Sequence, residues 1–240
     1  MNPASRRPRH LAVILDGNRR YAKKHLLQPQ EGHRKGKETL INFLKWCQKY
    51  GIEELTLYAF SLQNFSRDQK EVNYLMNLFL ITAEEALRSP LFNNLSVRFL
   101  GERQRLPAKV QEVMARFEKL TANNEPYLIN IAFAYGGREE IVEAVKTISQ
   151  EVLEKKYSPQ DITMDTITQH LQLQNEPDLI IRTGGDRRTS NFLLWQSWYS
   201  EWIFLKKYWP EFTEDDFLAC LEDYAQRERR YGGDANASSS

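Results

Sequence analysis

Residues 11–20 read LAVILDGNRR. Leu11 to Leu15 form a short continuous apolar run, the pattern of a strand buried on both faces. A strand of that kind belongs inside a parallel sheet with helices on either side. Working outward from it, Leu40, Phe43, Leu44, Cys47 and Tyr50 recur at helical spacing and stop at Gly51, a C-cap residue. Residues 55–60 (LTLYAF) again read as strand. Val72, Leu75, Met76, Phe79, Leu80 and Ala83 then trace one face of a helix.

The alternation runs on to the end of the chain. Residues 97–100, 127–134, 178–181 and 202–205 complete a set of six strands. Pro107 opens a helix in its first turn, and Val110, Val113, Met114, Phe117 and Leu120 give it a stripe. Ile141, Val142, Val145, Ile148 and Val152 mark another helix, and Thr213 N-caps a last one carrying Phe217, Leu221 and Tyr224. Strands alternating with helices imply right-handed crossovers. The fold class expected is α/β, a single domain with a mostly parallel six-stranded sheet flanked by helices. Residues 1–9 are expected to be a flexible N-terminus, 10–233 the domain, and 234–240 (DANASSS from Asp234) a disordered tail.

Composition narrows the function classes. The 240 residues carry 33 Lys+Arg against 32 Asp+Glu, so the basic excess of a nucleic-acid binder is missing. Two cysteines, Cys47 and Cys220, argue against a disulfide framework and point to a reducing compartment. No apolar run approaches the roughly 18 residues of a spanning helix. The expectation is a soluble cytoplasmic protein.

In an open parallel sheet, ligands bind beyond the carboxyl ends of the strands. Here those ends carry Asp16-Gly17-Asn18-Arg19-Arg20, residues 61–67 (SLQNFSR), Gly136-Gly137-Arg138, and residues 182–190 (RTGGDRRTS). Glycine lets backbone N–H groups approach an oxyanion, and arginine offers a planar fork that matches phosphate oxygens. Asp16 is placed to hold Mg²⁺, which commonly uses one or two carboxylates plus phosphate oxygens. One carboxylate among several arginines suggests a metal-bridged diphosphate. Each feature also has a plain structural use. Asp-Gly is a common turn, Gly136-Gly137 fits a strand end opening a helix, and Arg182 fits a surface ion pair. A lone His33 fits a structural histidine, Trp195, Trp198, Trp202 and Trp209 fit core or interface aromatics, and Arg227 to Arg230 fit a solvated helix end. Their joint placement carries the argument. The chain has no GxxxxGK[ST] loop, GxGxxG fingerprint, GxSxG elbow, HExxH pair or DDxxD cluster.

Six segments complete the picture: 10–24 (HLAVILDGNRRYAKK), 31–36 (EGHRKG), 55–72 (LTLYAFSLQNFSRDQKEV), 129–142 (INIAFAYGGREEIV), 178–196 (DLIIRTGGDRRTSNFLLWQ) and 227–233 (RERRYGG). In this order they resemble the cis-prenyltransferases, the undecaprenyl diphosphate synthase family. The resemblance implies an isoprenyl transferase joining isopentenyl diphosphate to an allylic diphosphate to give a cis-polyprenyl diphosphate. It also implies Mg²⁺, a homodimer, a hydrophobic tunnel between sheet and helices, and peripheral membrane contact through the lipid product. Phe79, Leu80, Ala83, Ile131 and Phe133 are the candidate tunnel lining.

Residue by residue, the resemblance assigns Asp16 to Mg²⁺ and diphosphate activation. It assigns Gly17, Asn18, Arg19, Arg20, Tyr21 and His33 to the allylic pocket, and Ser61, Asn64, Phe65 and Arg67 to the loop over the reacting centre. Asn64 is the position linked to proton removal; an amide is a poor base, so positioning of substrate suits it better. Arg182, Arg188 and Ser190 match the isopentenyl diphosphate site, Glu201 a second Mg²⁺ carboxylate helped across the dimer, and Arg230 and Gly232 an element reaching the partner's site. Pro29, where many members have a diphosphate-binding arginine, Gln63 for glutamate and Phe65 for tryptophan depart from the pattern. They leave open an atypical primer or a non-head-to-tail condensation, with Arg19 offsetting the charge missing at Pro29. A non-catalytic subunit of a heteromeric transferase is the other alternative, against which stand Asp16, Asn64, Arg182 and Arg188.

Overall fold

The computed structural model describes residues 6–227. Its sheet contains β1 (His10–Ile14), β2 (Glu54–Ser61), β3 (Leu95–Leu100), β4 (Tyr127–Tyr135), β5 (Leu179–Arg182) and β6 (Glu201–Phe204). The order is β3-β4-β2-β1-β5-β6 and every pairing is parallel. The chain starts in the middle of the sheet, builds outward on the β2 side, then crosses over to add β5 and β6. Successive connections therefore diverge between β1 and β5, and this opens a crevice beyond their carboxyl ends. Both strands are buried along their whole length, including His10 at the start of β1 and Arg182 at the end of β5.

The helices are α1 (Asn18–Lys24), α2 (Pro29–Lys49), α3 (Gln69–Leu87), α4 (Ala108–Thr121), α5 (Gly137–Leu153), α6 (Met164–His170) and α7 (Glu214–Gln226). Alternate strand residues face opposite layers. Leu11, Val13, Leu179 and Ile181 join the larger core with Phe43 and Leu44 of α2, Val72 and Met76 of α3, Met114 and Phe117 of α4, and Phe217 of α7. Ala12, Ile14 and Ile180 face the smaller core, with Tyr58, Tyr135, Phe192 and Leu193. Trp209 is fully buried and donates from its indole to the Gly36 carbonyl at 2.9 Å, so it is a core aromatic; Trp198 is exposed.

Two glycines of EGHRKG set how α1 lies against α2. A Cβ at Gly32 would sit 2.1 Å from the Asn18 carbonyl oxygen, and one at Gly36 2.1 Å from its side-chain oxygen. Without side chains at these i and i+4 positions, α1 packs directly on α2 and its residues are held beside the crevice.

Several boundaries differ from the sequence reading. α1 and α6 were not anticipated, because two turns offer too few apolar positions to show a period. Pro107 is the N-cap of α4, one residue ahead of its first turn. Thr213 caps α7 as expected, in a reciprocal pair with Asp216. The expected α5 stripe is partly turned: Ile148 is buried as expected, but Val142 and Val145 are exposed, while Glu140 and Ala144 point inward. Glu140 compensates for its burial by accepting from the Tyr135 hydroxyl (2.6 Å), the Gln196 amide and the Gln172 and Leu173 N–H groups. Of the N-terminal stretch, Arg9 donates its backbone N–H to Asp178 at 2.8 Å, and Arg6 and Arg7 reach the Arg227 and Tyr50 carbonyls. No described helix is long and apolar enough to cross a membrane.

Candidate active site

The crevice between β1 and β5 is filled by charge. Asp16, two residues past β1, receives Arg20 Nη2 on Oδ1 and Arg182 Nη2 on Oδ2, each at 2.9 Å. Asp16 precedes the Gly17 N-cap of α1, and Arg20 reaches back to it from the first turn of the helix. Arg182 ends β5 and is nearly inaccessible. Its other terminal nitrogen donates to the Arg188 carbonyl and to Ser190 Oγ. Thr183 donates its hydroxyl to the Asp16 carbonyl at 2.7 Å, tying the two strand ends together. Gly184 has a left-handed φ of 92°, and a Cβ there would meet Arg20 Nη2 at 2.8 Å. The turn is therefore built for a backbone without a side chain.

A second cationic group lies across the cleft around Glu71 of α3. This carboxylate is buried and accepts from Arg67 at 3.0 Å and His33 at 3.3 Å, with Arg19 Nε at 3.5 Å. The two groups face a common cleft of about 860 Å³, lined by Asp16 to Arg20, His33, Ser61, Asn64, Arg67, Arg182, Asp186, Arg188 and Ser190. Beneath it lies an apolar cavity of about 200 Å³ between α2, α3 and the sheet, lined among others by Leu40, Phe79, Ala83, Ile131 and Phe133. Leu15, Asn18, His33, Ala59 and Leu75 line both spaces. Packed rings form part of the apolar cavity's wall: Phe79 lies 4.7 Å from Phe133 and 5.6 Å from Phe99 between centroids.

Asn64 sits in a short turn after β2, where its Oδ1 accepts the Ser61 N–H at 3.1 Å. The oxygen that would take a proton is thus already engaged, leaving the amide N–H₂ to donate. Pro29 lines the cleft at the place where an arginine was expected, and Arg19 reaches the same space from α1.

Three residues expected in the site are elsewhere. Tyr21 does not line the cleft; it is one helical step past Arg20, and its ring packs on His25 at 4.4 Å. Phe65 packs on Phe60 at 5.0 Å and also lies outside the cleft lining. Glu201 starts β6 in register with Leu179, which pairs with Leu11, five residues before Asp16. At 3.3 Å per residue that is about 16 Å away at the opposite end of the sheet, where Glu201 pairs with Arg227 at 2.8 Å. Within one protomer the two carboxylates do not share an ion. Arg230 and Gly232 lie outside the described residues. Gly136 and Gly137 have their plain structural use, packing α5 against Asn191 and Leu194. Two residues of the site were given no role by the sequence, Asp186, which lies within the strand-end segment 182–190, and Glu71; each is an ordinary acidic residue in a polar stretch, and only the arginines around it mark it.

Burial opposes the charge on Asp16, but hydrogen bonds from Arg182 and Arg20 outweigh it and hold the carboxyl below its ordinary range. The site therefore keeps its anion through mild acid. His33 is pushed below its ordinary 6.5 by burial, against the pull of Glu71. As pH falls below 6.5 the unfolded chain takes up a proton that folded His33 resists, so stability declines toward the lowered folded value. His10, also lowered by burial, acts in the same direction. The loss of Tm between pH 7.5 and 5.5 is expected to be smaller in His33→Gln than in the parent, and an equal loss would count against this assignment.

Comparison with known proteins agrees with this geometry. The sequence-family model described as "Putative undecaprenyl diphosphate synthase" matches residues 14–232. An isoprenyl transferase of Thermotoga maritima is 44% identical over 228 residues, covering 94% of this chain and 97% of that protein. A tritrans,polycis-undecaprenyl-diphosphate synthase (geranylgeranyl-diphosphate specific) of Pyrococcus horikoshii is 42% identical over 94% of this chain and 87% of its own length. Among solved structures, lavandulyl diphosphate synthase from Lavandula x intermedia, in complex with dimethylallyl diphosphate, superposes with a TM-score of 0.89 at 36% identity, covering 94% of this chain and 98% of that one. With the fold, the arginine-walled cleft and these relatives in agreement, the chain belongs to the undecaprenyl diphosphate synthase family of cis-prenyltransferases.

Proposed function

We propose that the protein condenses isopentenyl diphosphate with an allylic prenyl diphosphate to give a cis-polyprenyl diphosphate. The observation that carries this reading is the junction of two cation-walled diphosphate positions with one apolar cavity, made by Leu15, Asn18, His33, Ala59 and Leu75. The allylic C–O bond breaks and diphosphate departs, a C–C bond forms to the terminal methylene carbon of isopentenyl diphosphate and leaves the positive charge on its methyl-bearing C3, and a proton leaves C2 as the C2–C3 double bond forms. Arg19, Arg67 and the DGN turn hold the allylic head. Arg182, Arg188 and Ser190 hold the isopentenyl head, Arg20 of the allylic pocket stands beside them on the shared Asp16 and so faces both heads, and Asn64 orients substrate by donating its amide N–H₂ while a diphosphate oxygen accepts the proton. Preorganised donors aimed at the departing diphosphate supply the rate enhancement.

Asp16 is a hard oxygen donor, partly accessible at the cleft, and it lies in no described cluster of three or more ligating side chains. That fits Mg²⁺ bound by one protein carboxylate and substrate phosphate oxygens, and poorly fits an all-protein cage. Bound there, Mg²⁺ would neutralise charge on the leaving diphosphate. The homodimer is part of the same proposal: exposed Val142, Val145 and Leu153 on one side of α5 offer apolar surface to a second copy, the arrangement in which Glu201 would act. So is a cytoplasmic enzyme touching the membrane peripherally through its lipid product.

The test is purified protein with Mg²⁺, labelled isopentenyl diphosphate and allylic primers from C5 to C20. Butanol-extractable label is expected with at least one primer. None with any primer would refute the activity, and activity of the chain alone eliminates the non-catalytic subunit. Likeness to a synthase solved with dimethylallyl diphosphate favours a second reading, use of a C5 primer or non-head-to-tail bonding, which product identification separates.

Cavity size bears on product length. A cavity of 150 Å³ holds one benzene, so 200 Å³ takes about eight carbons, fewer than two five-carbon units. Phe79 lines that space, so a smaller side chain there enlarges it. Phe79→Ala is expected to lengthen the products by at least one isoprene unit, read by chromatography; an unchanged distribution would show that the ring is no stop.

A further inference from the structure

The loop after β5 places a second carboxylate among the arginines, at a position the proposed reaction leaves without a task. Asp186 Oδ2 lies 3.2 Å from Arg20 Nη2, 3.7 Å from Arg182 Nη2 and 3.0 Å from Arg188 Nη2. The terminal nitrogens of Arg20 and Arg182 are the same ones that contact Asp16. One carboxylate oxygen therefore stands where three guanidiniums converge, the geometry that a phosphate oxygen would adopt.

We propose that Asp186 is a built-in competitor of the incoming diphosphate: its carboxylate occupies the Arg20–Arg182–Arg188 docking position in the free enzyme and yields it to substrate. This rests on the reading of that position as a diphosphate site. Three guanidiniums face two carboxylates in the free enzyme, a formal +1; withdrawal of Asp186 raises this to +2 as the polyanion arrives.

Glu71 offers a contrast. It extends from the first turn of α3 and is buried, so it is fixed and positions its cations. Asp186 follows Gly184 and Gly185, both left-handed at φ 92° and 87°, whose N–H groups are anchored to the Lys207 and Leu205 carbonyls at 2.8 Å. Its side chain, 29% accessible at the cleft, begins where that anchored turn ends. A carboxylate so placed can rotate outward while the turn stays put.

Removing Asp186 has two opposed effects on anion binding. It frees three guanidiniums, and it loosens whichever of them depended on it. Arg182 keeps Asp16, Ser190 and the Arg188 carbonyl, and Arg20 keeps Asp16 at 2.9 Å. Only Arg188 is released, and at 66% exposure its pair holds it weakly. The gain from lost competition is the larger effect.

The experiment is calorimetric titration of inorganic diphosphate into the full chain in metal-free buffer with EDTA. Asp186→Ala is expected to bind about tenfold more tightly than the parent, with a steeper loss of affinity in salt. Asp186→Asn, which keeps the side-chain shape, is expected to follow in direction and serves if the alanine variant does not fold. Unchanged or weaker binding in the folded variant overturns the proposal. If the parent binds diphosphate and turns over substrates while neither variant gains affinity, this inference alone falls. If no protein binds diphosphate, the site assignment falls with it.

Discussion

Asp16→Ala is expected to lower kcat for prenyl transfer by about 10³, with a much smaller change in KM. The carboxylate stands between the two arginines of the β1–β5 crevice, with an oxygen for each at 2.9 Å. Its proposed work, activation of the leaving diphosphate, is needed most when the allylic C–O bond is breaking. Loss of the side chain therefore removes an interaction of the transition state more than of the ground state. The fold should survive, because Arg182 keeps Ser190, the Arg188 carbonyl and Asp186, and Thr183 still holds the Asp16 backbone. Steady-state rates with saturating primer decide the matter. Near-normal turnover would remove Asp16 from the chemistry.

Arg182→Ala is expected to hurt both stability and catalysis. This guanidinium is 4% accessible and joins the ends of two central strands to the loop at 188–190. Removing one partner from a buried pair costs about 3–5 kcal/mol, which for a chain of this size lowers Tm by about 6–20 °C. KM for isopentenyl diphosphate should rise about 10²-fold as the central fork of that site disappears. Arg182→Lys restores the charge but not the planar fork, so it should recover part of the stability and little of the affinity. Because Asp16 and Arg182 share one hydrogen bond, the double variant should fall well short of additive losses. Full additivity, or a Tm within 2 °C of the parent, would show that the pair is not the bolt described here.

Most of the architecture was legible because its signals are local. The continuous apolar run at 11–15 announced a strand buried on both faces, and β1 is that strand; residues 178–181 read as strand, and β5 lies there. Thr213 announced its helix through capping chemistry that spans four residues. Where reading failed, distant packing decided. The α5 stripe was drawn through Val142 and Val145, yet the Tyr135–Glu140–Gln196 hydrogen bonds turn Glu140 inward and the valines out. Tyr21 stands one residue after Arg20 in a segment that reads as one motif, but a helix rotates successive side chains by about 100°, and Tyr21 is turned out of the cleft that Arg19 and Arg20 line.

By itself the sequence determined that this is a parallel α/β protein with arginines, glycines and aspartates at its strand ends, and that these suit diphosphates. Both follow from chemistry within a few neighbouring residues. Only the tertiary structure decided which charges meet. Asp16 and Arg182 are 166 residues apart and touch because β1 and β5 are neighbours at the switch in strand order. Glu71 and Asp186 acquire meaning only from the arginines gathered around them, and Glu201 is carried to the far end of the sheet by the direction of β6. Hydrophobic burial acts on any apolar face, but an ion pair forms only where the fold brings two particular side chains within a few ångströms.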